Sequence, residues 1–183
     1  MDSVVWVAPA DIHLVSGLPE ARRRELMTHD GAVLEGDWDR KINPKPFEEM
    51  DVYKAFRERM IEGRPWSETA FYKRVVAAIN NGERKWKCRT EKQFRARCVE
   101  LERLYRDIAE SGFKSQKELP DGSPHHEICV AMGRDGRLIF LDGRHRLAIA
   151  KLLDLAKIPV RIAVYHRKSP AEVAPCGPSS VGR

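Results

Sequence analysis

The chain has 183 residues, of which 42% are hydrophobic and 33% charged, and its formal net charge is +6. That composition supports a packed core and excludes global disorder, and the length suits one domain carrying a sizeable insertion. No stretch approaches the roughly 20 apolar residues of a membrane span, and MDSVVWVAPADIHLV lacks the basic start of a secretory signal, so cytoplasmic residence is the expectation.

The opening VVWVAPADIHLV, with β-branched residues and Trp6, reads as a strand ending near Pro9 and Asp11. Residues 17–46 hold Gly, Pro and Asp clusters without a sustained period and are expected to form a long connection. Three helices follow. The first starts at Pro46, presents Phe47, Met50, Tyr53, Phe56 and Met60 on one face, and stops at Gly63. The second follows Ser67, with Phe71, Val75, Ala78 and Ile79 inward, and ends at Gly82. The third opens with a Thr90–Gln93 capping box, carries the stripe Phe94, Cys98, Leu101, Tyr105 and Ile108, and stops at Gly112.

After Pro120 the pattern changes. EICVAMGRDGRLIFLD is two apolar strands joined around Asp135-Gly136, a hairpin signal. A helix from His145 to Leu155 and a strand, IPVRIAV (158–164), come next. The tail from Lys168 is rich in Pro, Ser and Gly and is expected to be disordered.

Two features carry chemistry. Between Gly133 and Lys168 nine Arg or Lys face three Asp, whereas the rest of the chain balances at 24 against 24, so an anionic partner is expected to meet the last third. Within that region the turn Asp142-Gly143-Arg144-His145-Arg146 opens a helix. Free helix N–H groups, a glycine permitting close approach, two guanidiniums and an imidazole make a seat for phosphate or carboxylate. Asp142 makes sense there as a Mg²⁺ ligand, as an orienter of an arginine, or as the base taking a proton from an attacking hydroxyl. A salt-bridged surface turn is the competing reading.

Residues 125–165, HEICVAMGRDGRLIFLDGRHRLAIAKLLDLAKIPVRIAV, resemble the ParB/sulfiredoxin superfamily pattern DEIxVxxxxDGxxxxxDGxHRLxxAKxLGxxxIPVxV. The resemblance implies an α/β (α+β) fold: a small mixed sheet with flanking helices in one domain over residues 1–167, with 46–112 as an all-helical insert. Sulfiredoxins carry a reactive cysteine where this chain has Arg144, which excludes their chemistry. Chromosome-partition ParB proteins grip CTP phosphates with G-E-R-R; here Gly143 and Arg146 remain, without the acid. Free serine kinases of this fold carry D-G-H-x-R and an acidic base on the preceding strand. By that similarity Asp142, His145 and Arg146 would bind or activate nucleotide and Glu127 would be the candidate base. Joined to the reading of the turn itself, the expected nucleotide-binding set is Gly143, Arg144, His145 and Arg146, the catalytic set Glu127, Asp142 and His145, and the metal ligand Asp142.

Glu127 precedes a strand and can reach the turn if the two strands pair; alternatively it is an exposed acid beside His125 and His126. Asp37 and Asp39 flank Trp38 and read either as a cation site or as loop acids anchored by a buried tryptophan. RKWKCR (84–89) is compatible with base stacking, although a core tryptophan inside a basic loop accounts for it more simply. Cys88, Cys98, Cys129 and Cys176 show no metal spacing, and Cys98 and Cys129 read as buried thiols.

The expected function is therefore binding of a nucleoside triphosphate, ATP or CTP, with Mg²⁺, as a kinase or NTPase. The alternative is a non-enzymatic DNA-binding or regulatory module, or a nuclease. A homodimer is compatible with either.

Overall fold

A computed structural model describes residues 4–120, 122–123 and 126–170. The expected disorder of the tail, His125 and Cys176 fall largely or wholly outside them. The chain divides into two compact units. One combines residues up to Phe47, Ser115–Gly143 and the chain from Ala156 onward; the other combines Glu48–Lys114 with Arg144–Leu155.

The first unit is built on a mixed sheet, so the α/β class read from the sequence holds. Its strands are β1 (Val4–Val7), β2 (Leu14–Val15), β3 (Ala32–Leu34), β4 (Ile128–Met132), β5 (Leu138–Asp142) and β6 (Ile158–His166). The order is β1-β6-β4-β5-β2, with β3 also on β6. The β4–β5 pair is the antiparallel hairpin expected around Asp135-Gly136, and β4 runs parallel to β6. All nine residues of β6 are buried, as befits a central strand covered on both faces. One face packs Cys129, Ala131, Ile139, Leu141 and Ala163 beneath Leu26 and Trp38.

Residues 17–46 are more structured than their composition suggests. Helix α1 (Glu20–Met27) and strand β3 lie within them. Its sequence EARRRELM buries Leu26 alone, so no apolar period announces the helix.

The second unit is helical: α2 (Asp51–Phe56), α3 (Ala70–Asn80), α4 (Glu91–Ser111) and α5 (Arg144–Leu152). The first expected helix is shorter than its stripe implies, because Arg57–Ile61 widens into a π-turn before Gly63. Thr69, not Ser67, caps α3, its hydroxyl accepting from the Tyr72 N–H at 3.1 Å. At α4 the box is offset. Thr90 accepts from the Gln93 N–H, but the Gln93 side chain reaches back to Arg89 N–H at 2.8 Å. Among the described residues, no helix is long and apolar enough to cross a membrane.

Candidate functional site

The residues of the glycine turn have distinct surroundings. In the first unit, Asp142 ends β5 with its side chain exposed. Gly143 adopts φ +95°, and a Cβ there would sit 2.8 Å from the Ile128 Cα. Glycine is thus required both by backbone conformation and by close packing against β4. Glu127 is not an exposed acid. It is 3% accessible, and its carboxylate accepts from the Ser115 hydroxyl and the Gln116 N–H, anchoring the short 3-10 turn Gln116–Glu118. A role as base would require it to leave those bonds.

In the second unit, the two arginines part company. Helix residues two apart point roughly 200° apart. Arg146 lies over the Phe113 ring, 4.4 Å from its centroid, and donates to the Lys114 carbonyl at 2.5 Å. Arg144 instead lines a cavity of about 270 Å³ with His145, Trp86, Lys87 and Arg97. Arg144 and Lys87 form no hydrogen bond or ion pair with the described residues, whereas Arg97 is paired with Glu100 at 2.7 Å.

His145, read from the sequence as a titratable donor, is held among aromatic rings and cations. Burial, followed by the positive charges of Arg97 and Arg144, pushes its pKa down to about 3, so the imidazole is neutral at pH 7. Its ring lies between Phe56, stacked at 6.1 Å, and Trp86 at 4.5 Å. Its buried Nε2 has no hydrogen-bond partner among the described residues. A polar atom in that condition costs free energy unless something occupies the space beside it.

Most cations of the last third are engaged within the chain. Arg134 is held by Asp37 and Asp39, Arg137 by Asp135, Lys151 by Glu48 and Arg167 by Glu35. Arg161 is buried in β6, donating to the carbonyls of His29 and Met27. With Arg146 also engaged, six of the nine cations serve internal contacts. Arg144 is the one on α5 that remains unpartnered among the described residues.

Asp37 and Asp39 hold Arg134, and Trp38 packs in the sheet core, which favours the anchored-acid reading over a cation site. Among the described residues no group of three or more His, Cys, Asp and Glu side chains could hold a metal ion. Asp142 offers one carboxylate, which suits Mg²⁺ only when phosphate oxygens complete the coordination.

Sequence reasoning did not group Arg97, Trp86 and Lys87 with the turn, because they come from segments far along the chain from α5. The available signal was Trp86 interleaved with basic residues, and the structure leaves that tryptophan incompletely buried, unlike Trp38 at 7% and Trp66 at 8% accessibility. No family model, curated protein or solved structure matches the chain.

Proposed function

We propose that this protein binds a nucleoside triphosphate, ATP or CTP, with its phosphates at the N-terminus of α5, and hydrolyses it or transfers its terminal phosphoryl group. The observation carrying this reading is Arg144: a partly buried guanidinium without a partner among the described residues, sharing one cavity with Lys87, Arg97 and a neutral histidine. Unpaired cations held in a concave site are stabilised by an anion, and a guanidinium matches the geometry of phosphate oxygens. The first amides of α5 add donors that no helical carbonyl takes. Phosphoryl transfer depends mainly on positioning and charge neutralisation, which such a site supplies.

Mg²⁺ is expected to arrive on the phosphates. The resemblance of residues 125–165 to the ParB/sulfiredoxin superfamily points the same way. A duplex-binding role gains less support, since most cations of the last third are committed to internal contacts.

The test is a thermal-shift and calorimetric titration of the full chain with ATP, CTP and GTP, with and without Mg²⁺, coupled to phosphate release. A nucleotide-dependent rise in Tm that disappears in Arg144→Ala supports the reading. No shift with any nucleotide, together with salt-sensitive DNA binding, would overturn it.

A further inference from the structure

The hairpin at Lys85–Cys88 has an unusual sequence for its shape. The Cys88 N–H donates to the Lys85 carbonyl at 2.7 Å, and the Lys85 N–H donates back to the Cys88 carbonyl at 3.1 Å. Both central residues are left-handed, Trp86 at φ +54° and Lys87 at φ +63°. A two-residue turn with both central φ values positive is normally filled by Asn-Gly, because a Cβ is disfavoured there. A tryptophan and a lysine accept that disadvantage here, and both line the 270 Å³ cavity that contains Arg144 and His145.

The indole is held by surrounding rings. Phe71 meets it edge-on at 5.0 Å and Phe94 at 6.3 Å, while His145 lies 4.5 Å away. These contacts fix its orientation before any ligand arrives. Trp86 remains incompletely buried, so ring surface is left for a ligand. The same cavity thus has an aromatic wall and a cationic wall. Its volume lies just below the usual range of ligand pockets, about 300–1,000 Å³. It can enclose part of a nucleotide, with the remainder extending into solvent.

We propose that Trp86 is a base-stacking residue, so that the cavity selects nucleotides over inorganic phosphates by their aromatic base. This rests on the triphosphate-binding reading above and adds a chemical requirement to it. The unpartnered His145 Nε2 is then the nearest buried polar atom that a nucleotide group could satisfy. Sequence-tolerant stacking of this kind is compatible with any base, since each presents a π-face.

Full-length wild type, Trp86→Leu and Trp86→Phe would be titrated calorimetrically with ATP, CTP and inorganic tripolyphosphate under one Mg²⁺ concentration. Tryptophan fluorescence would be followed in parallel. Wild type is expected to bind its preferred nucleotide about 5- to 150-fold more tightly than tripolyphosphate, the range that one base–aromatic stack supplies. Trp86→Leu should lose that preference while leaving tripolyphosphate affinity unchanged, and Trp86→Phe should keep most of it. Nucleotide, but not tripolyphosphate, should quench wild-type fluorescence, and the quench should vanish in Trp86→Phe. Equal affinity of wild type for nucleotide and tripolyphosphate, or equal weakening of both in Trp86→Leu, would overturn the stacking role while leaving phosphate binding intact. Absence of binding by either ligand would overturn the triphosphate reading and the stacking role together.

Discussion

The Arg134 guanidinium holds the Asp39 carboxylate through two nitrogens, Nε at 2.8 Å and Nη2 at 2.7 Å, while the Arg134 backbone N–H adds a third bond at 2.9 Å. This clamp ties the β4–β5 turn to the loop bearing Trp38. Burial alone would raise the Asp39 carboxyl; the hydrogen bonds from Arg134 reverse that and bring its pKa down to about 2. With the folded value below the ordinary 3.8, the carboxylate contributes stability that is present above about pH 4 and is lost as pH falls toward 2. Asp39→Ala removes the buried one of the two carboxylates that hold Arg134, leaving Asp37, and is expected to destabilise the fold measurably. Urea unfolding at pH 7 and pH 3 checks both statements. The gap between wild type and variant should narrow at the lower pH.

His145 should produce a second, distinct acid effect. Its folded pKa of about 3 lies below the ordinary 6.5, so the unfolded chain binds a proton that the folded chain refuses throughout that interval. Stability attributable to this residue therefore falls as pH drops below about 6.5, with a limiting slope of about 1.4 kcal/mol per pH unit. His145→Phe keeps a ring between Phe56 and Trp86 and removes the proton site. Between pH 6.5 and pH 4.5 its stability should decline less steeply than that of wild type. Parallel profiles would show that the imidazole is solvated rather than enclosed.

Gly143 provides a backbone test. Alanine at this position meets two obstacles, a positive φ and a Cβ 2.8 Å from the Ile128 Cα. Either costs about 1–3 kcal/mol, so Gly143→Ala is expected to lose at least that much. Gly143→Asn separates the causes, because asparagine tolerates positive φ better than alanine but still carries a Cβ. If both variants lose stability equally in chemical unfolding, the contact with Ile128 dominates; if asparagine restores most of it, the backbone dihedral does.

The parts legible in the sequence were those where one local rule decides the outcome. Asp135-Gly136 between two apolar runs specifies a hairpin, and Thr90 followed by the Phe94, Cys98, Leu101 and Ile108 stripe specifies α4. Helix α1 was not legible, since burying Leu26 alone leaves no periodicity to read. The turn chemistry was half legible. A charge count identified a basic region but could not tell that Asp39, Glu35 and Glu48 neutralise cations distant in sequence. The sequence reading placed the Arg144 and Arg146 guanidiniums in one seat, whereas helix positions two apart face different directions. Trp86 could not be assigned to the cavity from its neighbours alone. Its place depends on Phe71 of α3 and Phe94 of α4, the helices on either side of its hairpin in sequence.

That divergence gives the sharpest comparison between variants. Arg146 is held over Phe113 and by the Lys114 carbonyl, contacts worth about 0.5–1 kcal/mol for the cation–π interaction and about 1 kcal/mol for the hydrogen bond. Arg146→Ala should therefore lower Tm, by about 2–4 °C for each kcal/mol lost, while preserving the nucleotide-induced rise. Arg144→Ala removes a cation that has no partner among the described residues and shares its cavity with Arg97. Its Tm without ligand should be unchanged or slightly higher, and the nucleotide-induced rise should disappear. A differential scan of the three proteins with and without Mg²⁺-nucleotide decides the matter. If Arg146→Ala abolished the ligand effect and Arg144→Ala spared it, the phosphate site would lie on the Phe113 side of α5 instead.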